Sequence, residues 1–351
     1  MRVSGSRLGR IRDDERGAVL MIVALCLLIL LGMLVLTVDL GRGVAYKRQL
    51  VNGADAAALA AAQQCALGNG SSAARAAGLD VVNRNVDLSG ASATFLMPEC
   101  DNPVDFTENS VTVVATADID YYFAPIFGIS SGDVAARAVA VWGAVGEANP
   151  IPITVDEQQL WNNCGIVQGS PPKDERECDL TYPKDALQEP RWGVLDLAQW
   201  GDPDAAPCQL DANTLKDIIE SGGWGDPLPE NNFDCLDNGL SFSVWATMEG
   251  RVLTFPVMDI LRSTGTVKPG GGDVPCTGAD IPALRAAGKD CQIDTAYVIG
   301  FISLLVNSVV NTGSTVEVDT TFLGSTTGNG IPCAPGQDCA DFGLRAVRLV
   351  E

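Results

Sequence analysis

Hydrophobic and polar positions alternate along this chain in three different ways. Residues 18–38, AVLMIVALCLLILLGMLVLTV, form an apolar run of 21 residues without a charge or a proline. As a helix rising about 1.5 Å per residue the run is about 31 Å long, close to the hydrocarbon thickness of a bilayer. It holds eight Leu, two Ile and four Val. At about −0.3 to −0.6 kcal/mol each, they favour insertion by about −4 to −8 kcal/mol. A helix in a soluble core rarely runs this long without a polar face, so residues 18–38 predict a transmembrane helix.

From residue 39 the pattern becomes amphipathic. Leu50, Ala54, Ala57, Ala61 and Cys65 recur at helical spacing until Gly68-Asn69-Gly70 stops the run. Residues 39–68 therefore predict an Ala-rich stalk helix continuous with the span, giving a rod of about 50 residues, roughly 75 Å long. Gly41, Gly43 and Gly53 weaken it by about 1 kcal/mol each relative to Ala. A stripe of small residues lets another backbone approach closely. Two occupants suit it: like rods in an assembly, or the chain's own globular part.

Beyond the rod the period changes to two. Residues 71–91 read as a short helix and turn. VTVVATA (111–117) and DVAARAVAVW (133–142) alternate as strands around an aromatic loop containing Tyr121, Tyr122, Phe123 and Phe127. Residues 69–149 are thus expected to form a small α+β unit, bounded by Pro150 and Pro152. Residues 150–351 read as a Cys-rich acidic ectodomain with strands near 251–258, 295–305, 314–322 and 342–350. Short helices are expected near 212–220 and 281–287, and a loop at 268–273. The fold class expected is α+β: a long N-terminal transmembrane and stalk helix, then a disulfide-rich, mainly β extracytoplasmic region with few short helices.

Charge orients the span. Arg2, Arg7, Arg10, Arg12 and Arg16 precede it, and Arg42, Lys47 and Arg48 follow. The positive-inside rule puts residues 1–17 in the cytoplasm and the bulk of the chain outside, a single-pass protein of the cell membrane. The basic, Gly/Ser-bearing composition of residues 1–17 reads as a short disordered tail. A signal peptide cut after Gly43-Val44-Ala45 is the rival, but its apolar region would exceed the usual length. The whole chain carries −21. Its first 48 residues are net basic, so the ectodomain is more acidic still. Such a surface argues against nucleic acid or anionic lipid as a partner of the ectodomain, and for solubility or attraction of divalent cations.

Histidine is absent, which removes Ser-His-Asp, Cys-His and zinc-His chemistry. Of eleven cysteines, Cys26 lies in the span and ten lie on the external side. An even number in an oxidising compartment suggests five disulfides. Pairing of sequence neighbours is expected: Cys65–Cys100, Cys164–Cys178, Cys208–Cys235, Cys276–Cys291 and Cys333–Cys339.

The stretch from Glu15-Arg16-Gly17 through the span resembles the amino-terminal segment of the Tad/Flp pilus-assembly TadE/TadG-like family. Asp39, Gly41-Arg42, Tyr46, Lys47-Arg48, Leu50, Asn52 and Ala54-Asp55-Ala56-Ala57-Ala58-Leu59 follow that family's pattern in order. More weakly, residues 111–117, Tyr122-Phe123, Phe127-Gly128 and 134–138 look like its following strand pair. Looser still is the likeness of GVLDL (193–197), TFPVMD (254–259) and YVIGFISLLV (297–306) to ectodomains borne on such anchors. Two departures matter. Ile22 stands where related pseudopilins carry a Glu five residues after the processing glycine, so a retained anchor is expected rather than cleavage after Gly17. Asp87-Leu88-Ser89-Gly90-Ala91 lacks the second serine of a von Willebrand-type metal site, and none is inferred.

The resemblance implies a non-enzymatic structural or assembly component with no cofactor and no small-molecule substrate. Its partners would be the lipid bilayer and other Tad components or like helices met through the stalk. The alternative is a membrane-tethered binding or adhesion module that shares only the anchor. An anchored hydrolase using carboxylates is a third class, but no spacing singles out a pair. Asp341-Phe342-Gly343 lacks the other kinase motifs. The Asp-rich turns at 202–204 and 234–239 lack EF-hand spacing. Asn69-Gly70-Ser71 fits a glycosylation acceptor, a pattern common by chance.

Overall fold

The computed structural model describes residues 8–86, 90–97, 100, 109–169, 175–183, 195, 212–221, 228–229, 232–234, 242–268, 274–327, 330–333 and 339–350. The amino-terminal rod is α1 (Leu8–Leu34), a π turn (Val35–Asp39) and α2 (Leu40–Ala66). Helix α1 starts well ahead of the apolar run, because the Leu, Arg and Glu residues of that segment are good helix formers. The window of mean hydropathy 3.3 within Val19–Ala66 is not buried anywhere. This helix is long and apolar enough to cross a membrane. In the π turn the Thr37 hydroxyl donates to the Met33 carbonyl at 2.9 Å. Such a turn takes in one extra residue and so rotates the helix face beyond it by about 100°.

The chain forms two compact units. The first comprises Met1–Ala57, Gly78–Leu96 and Thr112–Ala138. Besides the rod it contains the second half of α3 (Gly70–Asn85), β1 (Ser92–Leu96), β2 (Ser110–Asp120) and the start of β3 (Ser131–Ala148). Strands β1 and β2 are antiparallel, with Ser92 opposite Thr116 and Leu96 opposite Thr112. Along β2, Val113, Ala115, Ala117 and Ile119 are buried at every second position, the period expected of a strand with one face inward. Leu50, Ala54 and Ala57 on α2 are fully buried. The glycines explain how close the backbones come. A Cβ at Gly53 would fall 2.5 Å from Val86 Cγ2, and one at Gly78 would fall 2.7 Å from Phe95 Cζ and 3.2 Å from the Ala57 carbonyl. In this unit the small-residue stripe is therefore covered by the protein itself.

The second unit comprises Ala58–Ala77, Met97–Val111 and Val139–Glu351. Its larger sheet is built on β11 (Asp290–Asn311), a strand of 22 residues. On β11 pair β12 (Thr315–Phe322), β8 (Val252–Met258), β9 (Thr264–Lys268) and β7 (Asn232–Asp234), all antiparallel. Strand β5 (Arg176–Pro183) extends the sheet past β12, β10 (Pro275–Thr277) extends it past β9, and β4 (Val155–Asp156) runs parallel to β8. Register shifts along β11 let so long a strand bend and serve partners in succession. The end of β3 pairs with β15 (Leu344–Val350), β14 (Ile331–Pro332) and β6 (Leu228–Pro229), while β13 (Ser325–Thr327) lies parallel to β15.

The main core of this unit gathers Ile151, Leu160, Phe255, Ile302, Val318 and Phe342. Within it the rings of Tyr182 and Trp245 are 4.6 Å apart and tilted, an arrangement favoured by the ring quadrupoles. Among the described residues four disulfides staple the unit: Cys65–Cys100, Cys164–Cys178, Cys276–Cys291 and Cys333–Cys339. Each joins sequence neighbours, and each is worth about 2–4 kcal/mol. Cys208 and Cys235 lie outside the described residues.

Candidate functional site around Asp39

The first unit holds a polar cluster where α2 begins. Asp39, Arg42 and Tyr46 are spaced three and four apart, so they share one face of the helix. Leu50 and Ala54 continue that face as its buried apolar part. Asp39 is 3 % exposed. Its Oδ1 accepts from the Tyr122 amide at 2.9 Å, and its Oδ2 from the Phe123 and Ala124 amides at 3.0 and 2.7 Å. Those amides open a short 3-10 turn, Ala124–Phe127, whose Phe123 cap has no side-chain capping bond of its own. The carboxylate supplies from another element the negative charge that a helix start favours.

Arg42 completes the clasp. Its Nη1 donates to the Asp120 carbonyl at 2.9 Å and its Nη2 to the Tyr46 hydroxyl at 2.8 Å. The guanidinium lies 3.9 Å from the Tyr122 ring centroid and 5.3 Å from that of Tyr46, within cation–π range. Lys47 Nζ donates to the Ala135 carbonyl. The loop closes on itself where the Tyr121 amide donates to the Ser130 carbonyl at 3.0 Å. Gly128 ends the turn at φ 84°, a left-handed position that an L side chain disfavours. Asp39 and the first turns of α2 thus grip the start of a loop some 80 residues away in sequence and the strand that follows it.

Burial pushes the Asp39 carboxyl upward, but the three amides and the Arg42 guanidinium outweigh it and leave the group below its ordinary value of 3.8. The Tyr46 hydrogen bond outweighs burial for Arg42 and holds it above its ordinary value. The sign for stability follows. A depressed carboxyl contributes stability at and above the ordinary value, and loses it as pH falls through the lowered folded value. Amide exchange at Tyr122–Ala124 is expected to stay slow at neutral pH and to accelerate only on acidification below 3.8. Acceleration between pH 5 and 7, after allowance for the intrinsic rate, would contradict this.

The other motif residues distribute themselves unevenly. Gly17 and Gly41 have open space where a Cβ would go, and nothing among the described residues explains a glycine at either. Leu50 is buried, Asn52 is exposed, and Asp55 and Leu59 are half-buried. Sequence reasoning placed Asp39, Arg42 and Tyr46 in one motif but missed what they hold. The partners are main-chain amides and carbonyls, which no side-chain pattern announces. The available signal was the 3,4 spacing of the three residues and an uncharged aromatic loop between two strands.

The chemistry weighed at 341–343 resolves into packing within the second unit. Asp341 accepts from the Gly343 amide at 2.9 Å and pairs with Arg345 at 2.8 Å. Arg345 Nη1 also donates to the Ala66 carbonyl at 2.6 Å, closing the carboxyl end of α2 where a cation is favoured. Among the described residues no three His, Cys, Asp or Glu side chains gather as metal ligands. Residues 87–89, 202–204 and 235–239 lie outside the described residues.

Two family models match the chain. The putative Flp pilus-assembly TadE/G-like model covers residues 17–64, and the putative Tad-like Flp pilus-assembly model covers residues 45–140. No curated protein and no solved structure matches it. The matched stretch includes both Asp39 and the loop it holds.

Proposed function

We propose, for a chain whose residues 17–140 carry the Tad-like Flp pilus-assembly signature, a non-enzymatic structural component of that apparatus. In this reading residues 18–38 cross the cell membrane once, the amino terminus is cytoplasmic, and the disulfide-bearing remainder stands outside. The basic tail supports the orientation. The bridges support an oxidising compartment.

The observation that carries the proposal is the Asp39 clasp. It ties the residue just past the apolar run to a loop within the same family-matched region, so the anchor is part of the fold. Cleavage after Ala45 would discard both Asp39 and Arg42, which supports a retained span. Contacts with like helices then fall along α1 within the bilayer, because the Leu50–Ala57 face is already covered.

Deletion of the gene in the bacterium that carries it tests the proposal, with pili counted by electron microscopy. Loss of pili, restored by the full chain but not by one lacking residues 18–38, is expected. Normal piliation in the deletion strain would overturn it. A second reading has one observation in its favour: the family models stop at residue 140, while the second unit has its own core. A tethered adhesion module predicts intact pili with reduced surface attachment.

A further inference from the structure

The loop that Asp39 holds presents an apolar surface outward. Ile126 is 63 % exposed, Phe127 58 % and Ile129 55 %, and Leu40 and Val44 on α2 are exposed as well. Residues 121–132, YYFAPIFGISSG, contain no charge. Clusters of exposed large apolar side chains are uncommon on proteins that face only water. Beside the loop, a groove of about 570 Å³ is lined by Leu40, Val44, Ile119, Ile129 and Val134, with Lys47 and Arg48 also in its wall.

The clasp fixes where this surface lies relative to the lipid. Its three amides bond the residue immediately after the apolar run. Leu40 and Val44 stand about 2 and 8 Å further along the helix axis at the usual rise. The interfacial layer on each side of the hydrocarbon core is about 5–8 Å deep. The loop, Leu40 and Val44 therefore fall at the depth of that layer. Aromatic side chains favour this region. Arg48, one turn beyond, is exposed and carries a charge that headgroup phosphates attract.

We infer that the Tyr121–Ser130 loop is a second membrane contact, with Ile126, Phe127 and Ile129 in the lipid interface of the leaflet where the span emerges. This rests on residues 18–38 being the anchor. The span alone leaves the first unit free to rotate about the helix axis. A loop embedded to one side of it fixes that rotation and tilt.

Site-directed spin labelling of the full chain tests the inference. In a Cys26→Ala background, labels are placed singly at Leu28→Cys in the span, Phe127→Cys in the loop and Leu96→Cys on β1. The proteins are reconstituted in phosphatidylcholine–phosphatidylglycerol vesicles. Collision with oxygen, which concentrates in lipid, is compared with collision with a nickel chelate, which stays in water. The loop label is expected to favour oxygen as the span label does, at shallower depth, while the β1 label favours nickel. An Ile126→Cys label repeats the measurement should the Phe127 variant fold poorly. A loop label as accessible to nickel as the β1 label, with the span label in lipid, overturns the inference and leaves the anchor standing. A loop label reached by neither reagent assigns the surface to a protein partner and equally overturns it. A span label in water removes the anchor reading itself.

Discussion

Replacing Asp39 by alanine is expected to free the Tyr121–Ser130 loop while the remainder of the fold persists. The substitution leaves three amides without their acceptor, and the Ala124 amide belongs to a buried residue. Bonds to a charged acceptor are among the stronger ones, and a buried donor without a partner is costly. Exchange at Tyr122, Phe123 and Ala124 is expected to accelerate by roughly tenfold or more. Asp39→Asn separates charge from shape, since the amide keeps one accepting oxygen but puts an NH2 group toward the other donors. It is expected to fall between wild type and alanine. Arg42 would lose its charged neighbour but keep its bonds to Asp120 and Tyr46. Unchanged exchange in both variants would mean the carboxylate does not hold the loop.

The largest loss of stability is expected from Asp341→Ala. The pair with Arg345 is nearly dry, with the Asp341 side chain 1 % exposed and that of Arg345 12 % exposed. Removing one partner strands the other charge in low dielectric, a loss of about 3–5 kcal/mol. Arg345 also holds the last carbonyl of α2, so its displacement would fray that helix end as well. Denaturant unfolding of the purified chain should show the midpoint moving down with little change in slope. A midpoint within error of wild type would show that the pair is dispensable.

The sequence announced this architecture wherever hydrophobic periodicity ran long. The long apolar helix lies where an unbroken apolar run placed it, and the Ala-rich helix, β2, β3, β8, β11, β12 and β15 lie where helical spacing or alternation placed them. The helices Ala212–Ser221 and Ile281–Ala286 do too. Strands β1, β9 and β10 escaped because at three to five residues they are too short for a period to stand out, and β5 escaped because Glu177, Asp179 and Pro183 are residue types depleted in strands. The π turn escaped because no residue type specifies it. The stripe of small residues was read correctly as a close-packing face. Its occupant could not be read, because Val86 and the Gly78 turn of α3 approach α2 only through tertiary folding. The same limit applied at the clasp, where one partner is a side chain and the others are backbone.

The central claim is that residues 18–38 hold this fold at a membrane with its bridged portion outside. It is tested most directly by adding protease to intact spheroplasts of cells making the full chain, then washing the membranes with alkaline carbonate. The account predicts that the external portion is degraded and that a small fragment containing the amino terminus and the span stays in the washed membranes. Recovery of the uncut chain in the soluble fraction, or a chain protected from protease until the cells are lysed, would contradict it.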